Sequence, residues 1–250
     1  MTQQRPPRLI VFTGAGLSAD SGVPTFRDSN GLWENHSVDD VANGLTWSKN
    51  WDMVRRFYNA RRSSLATVEP NAAHIMITDW QRRFDTVVLT QNIDDLLERA
   101  GCADVVHLHG ELTMMRCTAC GNEWNVGYTE VGADSRCAKC NSLKGTRPKV
   151  VFFHERAPNY ARMHAAFKNL RAQDCVVVIG TSGQVINMTA FLFDAPCLRV
   201  LNNLEPSQHM DESIYDHVLF GRASLVCAEV DRVVSAHMMN AQSNPEKSTD

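Results

Sequence analysis

RLIVFTGAGLSA, residues 8–19, decides the fold because it joins an apolar run to a loop of small residues. Residues 8–13 are rich in β-branched and apolar side chains and predict a buried strand. Gly14, Ala15, Gly16 and Ala19 then satisfy the pattern GxGxx(G/A), in which small residues let the backbone approach a pyrophosphate at the start of a helix. Taken alone, this pattern also fits a tight strand-to-helix turn.

Similar apolar runs recur along the chain, with helix-like segments between them. They cover residues 86–90, 105–108, 149–153, 175–180 and 198–202. Short strands that alternate with helices are typical of parallel βαβ units, and nearly continuous apolar runs are typical of strands covered on both faces. The predicted fold class is therefore α/β, with a doubly wound, Rossmann-type parallel sheet.

Two segments break this rhythm and predict a smaller lobe. Met53, Val54, Phe57 and Tyr58 recur at the three- and four-residue steps of one helix face. The second segment, rich in Cys and Gly, has few large apolar side chains and cannot fold without another source of stability. We expect a Rossmann-type domain from residues 1–35, 84–112 and 146–240, a small domain with a helical and a cysteine-rich module from residues 36–83 and 113–145, and a disordered tail at 241–250.

Four cysteines form two CxxC pairs with sixteen residues between the pairs: Cys117, Cys120, Cys137 and Cys140. This spacing delivers four thiolates to a tetrahedral zinc ion and leaves no position for an activated water, so a structural zinc is expected. A redox CxxC motif or a nucleic-acid-binding ribbon are the alternatives. The other four cysteines, Cys102, Cys175, Cys197 and Cys227, are expected to be ordinary buried thiols.

Charge and hydropathy exclude several classes of partner. The formal net charge is -3, which provides no global attraction to nucleic acid or to an anionic membrane. The N-terminal segment is polar and interrupted by proline, and no run approaches about 18 apolar residues. We therefore expect a cytoplasmic protein with neither a membrane nor a nucleic-acid partner.

Six ordered motifs together resemble the sirtuins. Besides the paired CxxC motifs, they are GAGLSADSGVPTFR at 14–27, TQNIDDL at 90–96, HLHGEL at 107–112, GTS at 180–182 and NLEPS at 203–207. The resemblance extends to about residue 230. It implies a cleft between the two domains that binds NAD and an acylated lysine of a protein or peptide. In sirtuins the acyl oxygen attacks C1′ of the nicotinamide ribose, nicotinamide leaves, and a sugar hydroxyl captures the acyl group as O-acyl-ADP-ribose.

The resemblance also assigns roles along the NAD site. Gly14, Ala15, Gly16 and Ala19 would cradle the pyrophosphate, and Phe26 and Arg27 would border the nicotinamide end. The nicotinamide and its ribose would be contacted by Gln91, Asn92, Ile93 and Asp94. The rest of the cofactor site would be lined by Gly180, Thr181, Ser182, Asn203 and Glu205, with Ala223 near adenine.

Histidine provides the expected catalytic group. His109 matches the sirtuin histidine, whose neutral imidazole can take a proton from a ribose hydroxyl near physiological pH. His107 is the nearest competitor, because residues two apart on a strand face the same way.

The expected acyl preference depends on Tyr58 and Arg61, which lie three residues apart on one helix face. A Tyr-x-x-Arg pair grips the acyl carboxylate in the sirtuin branch that favours succinyl- and malonyl-lysine, and Thr25 also resembles that branch. A guanidinium and a phenol can bind a carboxylate that acetyl lacks. The alternative is a solvated basic face, because Arg55, Arg56 and Arg62 lie nearby.

Two segments depart from the sirtuin pattern. Phe153 is expected in the strand that pairs with the substrate backbone, but His154 follows where the family usually has Gly. Ile186 and Asn187 replace an aromatic or aliphatic residue followed by Pro, so the next helix is expected to be shifted or short. These departures leave protein ADP-ribosylation, NAD hydrolysis and a non-enzymatic NAD-sensing or zinc-ribbon module as alternative functions.

Overall fold

The computed structural model describes residues 5–25, 32–33 and 36–243. Strands and helices alternate through most of this part of the chain. The strands are β1 (Arg8–Thr13), β2 (Leu32–Trp33), β3 (His36–Ser37), β4 (Asp85–Thr90), β5 (Val106–His107), β6 (Gly110–Cys117), β7 (Glu123–Asn125), β8 (Thr146–Val150), β9 (Cys175–Ile179), β10 (Leu198–Asn203) and β11 (His217–Phe220). The α-helices are α1 (Gly16–Ala19), α2 (Val38–Val41), α3 (Trp51–Leu65), α4 (Ala72–Arg83), α5 (Leu96–Arg99), α6 (Tyr160–Phe167), α7 (Thr189–Leu192) and α8 (Ala223–Ser243).

The main sheet has the order β11-β10-β9-β1-β4-β5, and all its strand pairs are parallel. Successive residues of β1 enter different cores: Leu9 and Val11 pack with α4 and α8, whereas Ile10 and Phe12 pack with α6. Covering on both faces explains the continuous apolar runs, since neither side of a strand meets water. The predicted Rossmann-type α/β fold class is confirmed.

The smaller lobe is built on α3 and the antiparallel sheet β7-β6-β8. Val54, Phe57 and Tyr58 of α3 are buried as predicted. Met53 was expected on the same face, but it is partly exposed, because the core of this lobe covers a narrower stripe of the helix.

One strand was predicted in the wrong sheet. Residues 149–153 were expected in the parallel sheet, but β8 begins at Thr146 and pairs antiparallel with β6. An apolar run does not distinguish the two settings, because Val150 and Phe152 are buried here against the helical lobe. The two-domain bounds stay a prediction, although β8 pairs within the small sheet.

The C-terminal part of the fold was predicted incompletely. The edge strand β11 was not expected, because its apolar run, Val218–Phe220, has only three residues and the strand is partly exposed. Helix α8 continues to Ser243, so a disordered tail starting at 241 was wrong for its first three residues, and Ala241 is buried. Residues 244–250 lie outside the described part of the chain. None of the described helices is both long and apolar enough to cross a membrane.

Candidate active site

The glycine loop after β1 packs directly against the end of β9. A Cβ on Gly14 would lie 2.7 Å from the carbonyl oxygen of Gly180, and one on Gly16 would lie 2.7 Å from the Gly180 Cα. Gly180 itself has a φ of +63°, a backbone conformation that glycine adopts without strain. The two loops therefore form one narrow cradle, and larger side chains at these positions would separate them.

A cavity of about 800 Å³ opens beside this cradle, between the main sheet and the smaller lobe. Its volume is in the range of small-molecule and cofactor sites, about 300–1,000 Å³. Most of the predicted site residues line it: Gly14, Ala15, Gly16, Tyr58, Arg61, Gln91, Asn92, Ile93, Asp94, His109, Phe153, Gly180, Thr181 and Ser182.

Four predicted cofactor residues do not line the cavity. Ala19 and Glu205 are exposed, and Ala223 is buried within the sheet core at the start of α8. The Asn203 side chain instead holds the GTS loop, accepting from the Thr181 amide at 3.0 Å and donating to the Thr181 carbonyl at 2.9 Å. These cofactor roles stay predictions. Phe26 and Arg27 lie outside the described residues.

The QNID segment, residues 91–94, follows β4 and is hydrogen-bonded to both the GTS loop and the glycine loop. Gln91 donates to the Thr181 hydroxyl at 2.9 Å, and the Asn92 amide donates to Ser18 Oγ at 3.1 Å. Burial raises the pKa of Asp94, an effect that hydrogen bonds from the Leu96 amide and Ser18 oppose. The segment thus presents amides and a carboxyl group to the cavity in fixed orientations.

Behind this segment, His74 forms a buried support that sequence reasoning missed. Its Nδ1 accepts from the Asn71 amide at 3.2 Å, so Nε2 carries the proton and donates to Ser18 Oγ at 3.3 Å. Burial lowers the pKa of His74 to about 4, which keeps the ring neutral. The PNxxH pattern at 70–74 indicates only the start of a helix, where Asn71 and His74 form a capping box, and not the contact with Ser18.

His109 has the geometry of a neutral base. Its Nδ1 lies 3.1 Å from the carbonyl oxygen of Gln91, which can only accept, so Nδ1 carries the proton and Nε2 the lone pair. Burial lowers the pKa of His109, while the hydrogen bond to Gln91 opposes this effect. The imidazole is therefore neutral near pH 7.

His107 is in a different chemical state. Its Nδ1 lies 2.9 Å from the Asn92 carbonyl and its Nε2 lies 2.7 Å from Glu98, so both nitrogens face acceptors. Burial tends to lower its pKa, but the hydrogen bond and charge of Glu98 raise it overall. An imidazolium with both protons engaged has no lone pair to offer, so His107 is unsuited to act as a base.

Tyr58 and Arg61 reach the cavity from α3. Tyr58 is fully buried and stacks on Phe152 at 5.9 Å between ring centroids. Burial raises the pKa of Tyr58, so its phenol keeps the proton, and the charge of Arg61 opposes part of that rise. Arg61 Nη1 donates to the Phe57 carbonyl at 2.7 Å. The pair offers the cavity a phenol donor and a cation.

The four CxxC cysteines come together at one end of the small sheet. Their Sγ atoms all lie within 4.8 Å of one another, with Cys117 and Cys140 at 3.6 Å and Cys120 and Cys137 at 3.7 Å. Four sulfurs about 2.3 Å from a tetrahedral zinc ion lie about 3.8 Å apart, so the cluster fits zinc closely. With four thiolates as ligands, no position remains for a reacting water.

The chain as a whole is similar to known proteins. The model of the Sir2 family matches residues 14–187. The chain belongs to the Sir2 family. It is 40% identical over 248 residues to the NAD-dependent protein deacylase of Helicobacter hepaticus, and the aligned region covers 90% of this chain and 96% of that protein. It is also 40% identical to the NAD-dependent protein deacylase SIR2rp3 of Trypanosoma brucei brucei, over 89% of this chain and 93% of that protein.

Solved structures of the family agree with this result. A crystal structure of a Sir2 homolog–NAD complex matches with a TM-score of 0.78 and 32% identity, over 92% of this chain and 90% of that chain. The resemblance to the sirtuins is thereby confirmed. The glycine cradle and the donors around it also fit a dinucleotide, because Gly14 and Gly16 leave the backbone of the loop open beside the cavity.

The structure shows how this Sir2-family chain accommodates its two unusual segments. His154 has a φ of +67° at a position that lines the cavity. Both backbone polar groups of Phe153 are bonded within the chain, to Ala42 at 2.8 Å and Gly44 at 2.9 Å. The Asn187 side chain accepts from the amide of Thr189, the first residue of α7, at 2.9 Å, and α7 has only four residues.

Proposed function

We propose that this chain uses NAD to remove acyl groups from protein lysine side chains, preferring succinyl and malonyl groups and also accepting acetyl. One observation carries the proposal: Tyr58 and Arg61 line the same cavity as His109 and the glycine cradle. A phenol and a guanidinium, groups that can bind a carboxylate, thus face the same space as a neutral base. The general reaction is the one named for the relatives.

NAD would enter as a co-substrate and supply a ribose whose bond to nicotinamide can be broken. Gly14, Gly16 and Gly180 would let the pyrophosphate approach the backbone, and Gln91 to Asp94 would orient the nicotinamide ribose. The Nε2 lone pair of His109 would then take a proton from a ribose hydroxyl, which makes that oxygen the nucleophile toward the acyl carbon. Cys117, Cys120, Cys137 and Cys140 would hold zinc as a structural ion.

The surroundings of α3 favour a specific role for Arg61 over a solvated basic face. Arg55 and Arg56 pair with Asp52, at 2.7 and 3.0 Å. Arg62 is buried and bonded to Asn59. Among the arginines of this helix, Arg61 is the one that lines the cavity. A guanidinium there offers a charge-assisted hydrogen bond to a succinyl or malonyl carboxylate and none to acetyl.

The test is the ratio of kcat/KM for a succinyl-lysine peptide to that for the matched acetyl-lysine peptide. Hydrogen bonds to charged groups contribute about 1.5–3 kcal/mol, so Arg61→Met should lower the succinyl efficiency roughly 10–150-fold. Tyr58→Phe should change the ratio in the same direction, and acetyl efficiency should fall far less. Arg56→Met, an exposed neighbour on the same helix, is the matched control and should leave the ratio unchanged. Equal losses on both peptides in Arg61→Met would contradict the acyl preference.

Product analysis separates the reaction class from its alternatives. Mass spectrometry after incubation with NAD and a succinyl-lysine peptide should detect free lysine peptide, nicotinamide and O-succinyl-ADP-ribose. ADP-ribosylated protein would instead identify a transferase, and free ADP-ribose without deacylated peptide would identify an NAD hydrolase. A cytoplasmic location and the absence of a nucleic-acid partner stay predictions.

A further inference from the structure

Tyr160, the first residue of α6, contacts the candidate base although no sequence motif pointed to it. Its hydroxyl oxygen lies 3.1 Å from Nε2 of His109, and the two ring centroids are 6.1 Å apart. Because the Gln91 carbonyl fixes the proton of His109 on Nδ1, Nε2 can only accept, and the Tyr160 hydroxyl must donate. Burial raises the pKa of Tyr160, which keeps that hydroxyl protonated near neutral pH.

The start of α6 is tied to the strand that precedes His109. Asn159 Nδ2 donates to the carbonyl oxygen of His107 at 2.7 Å, two residues before the base. The ring of Tyr160 packs against the core that also contains Met163 and Phe167 of the same helix. The distance between Tyr160 and His109 is therefore set by the main sheet and α6 together, and not by a surface loop alone.

We propose that Tyr160 is a positioning residue that holds the imidazole of His109 with its Nε2 lone pair directed into the cavity. The proposal deepens the function proposed above and rests on the role given there to His109. The tyrosine hydroxyl occupies the site where a substrate hydroxyl would bind the base, so it is displaced when that hydroxyl arrives. Until then it stabilises one ring orientation and one tautomer.

A hydrogen bond donated to Nε2 also stabilises the neutral ring, because the imidazolium has no lone pair there. Removing the phenol hydroxyl should therefore make His109 easier to protonate. Other titratable groups surround the base. Seven others line the same cavity: Tyr58, Arg61, Asp94, His154, Glu155, Arg156 and His164. His107 and Glu111 flank His109 along the chain. Tyr160→Phe leaves all of these groups unchanged, so the difference from wild type isolates the hydroxyl.

The test uses the full-length zinc-bound protein with ¹⁵N-labelled histidine, without NAD or peptide. NMR titration gives the pKa and the tautomer of each ring, and the His109 signals are assigned from their loss in His109→Ala. In the wild type, His109 should carry its proton on Nδ1, and its pKa should lie below the ordinary value for histidine because of burial. In Tyr160→Phe, the His109 pKa should rise by roughly half a unit to one unit, as expected for one hydrogen bond.

Two results would overturn the proposal. One is an Nε2-protonated His109 in the wild type, which can be measured even if the variant folds poorly. The other is an unchanged His109 pKa in a Tyr160→Phe protein whose thermal unfolding matches the wild type. A matched pH profile of kcat/KM distinguishes this idea from the proposed function. If the NMR pKa rises while the acidic limb of the profile stays fixed, Tyr160 does position His109, but His109 is not the base.

Discussion

The parallel sheet and the four-cysteine module are stabilised by different means. In the sheet, every residue of β9 is at most 1% exposed, and two apolar cores cover its faces. Between residues 118 and 145, in contrast, Val131 and Cys137 are the buried apolar side chains. Burial alone can hold the sheet, whereas the module needs the metal, because so little apolar surface leaves water.

The two regions also differ in what depends on them. The sheet carries the glycine cradle and the QNID segment, while the module contacts α3, which carries Tyr58 and Arg61. Asn59 of α3 donates to the Val131 carbonyl at 2.9 Å, and Arg55 donates to the same oxygen at 2.9 Å. Loss of the module should therefore disturb acyl recognition more than the NAD side of the cavity.

The largest expected effect comes from removing the metal ligands. Cys117→Ser or Cys137→Ser should abolish stoichiometric zinc binding and unfold residues 117–145, since metal-binding free energy here is folding free energy. Metal analysis and hydrogen exchange, read separately for the module and for β9, measure this. Cys227→Ser, outside the cluster, is the control. A metal-free variant with full protection in the module would contradict this account.

Truncating a buried side chain of the sheet should have the opposite effect, lowering overall stability while the zinc stays bound. Ile10 is fully buried in β1, and truncation of such a side chain costs about 2–5 kcal/mol. Ile10→Ala should lower the free energy of unfolding by that amount in urea titrations, while zinc content stays at the wild-type level. Leu225→Ala, which changes a residue of α8 that is 76% exposed, should stay within about 0.5 kcal/mol of wild type. Zinc loss in Ile10→Ala would mean that the two regions are coupled.

His74 sharpens the comparison, because it ties α4 to the glycine loop of the sheet. Its folded pKa of about 4 lies below the unfolded value of 6.5, so the unfolded chain binds the extra proton first as the pH falls. This contribution to stability is complete above pH 6.5 and should decline by about 2 kcal/mol between pH 8 and pH 5. Urea titrations at each pH should show a decline that is steeper by this amount in wild type and in His164→Asn than in His74→Gln. The same slope in His74→Gln would exclude His74 as its source.

The smallest expected effect concerns His154, where the cavity meets the segment after β8. A non-glycine residue in the left-handed region costs about 1–2 kcal/mol of backbone strain, which glycine would relieve. Glycine also makes the unfolded chain more flexible, which offsets part of that gain. His154→Gly should therefore raise the free energy of unfolding by about 0.5–1 kcal/mol. Asn169→Gly, at a φ of +57°, is the control and should gain less, because asparagine tolerates this region better. A loss of stability in His154→Gly would mean that the imidazole makes compensating contacts.

Local sequence signals predicted most of the fold and much of the site. The strand before Gly14, the GTS turn after β9 and the CxxC pairs depend on residues that are neighbours in the chain, so their patterns are legible. The pairing of β8 was not, because an apolar run has the same composition in either sheet. Exposed Glu205 and buried Ala223 were assigned by family position alone, which does not report where the cavity ends.

The contacts made by His109 and His74 could not be predicted either, because their partners are distant in the sequence. Tyr160 is 51 residues from His109, and His74 is 56 residues from Ser18. Only the packing of α6 and α4 on the sheet brings these pairs together. The different protonation of His107 and His109 likewise depends on the carboxylate of Glu98, nine residues before His107 in the chain.

The central claim is that His109 is the base of an NAD-dependent deacylation, and one paired measurement tests it most directly. NAD affinity by calorimetry and formation of O-succinyl-ADP-ribose by mass spectrometry are compared in wild type and His109→Ala. We expect product formation to fall at least about 100-fold, as for loss of a general base, while NAD affinity changes only a few-fold. Wild-type rates of product formation in His109→Ala would contradict the claim.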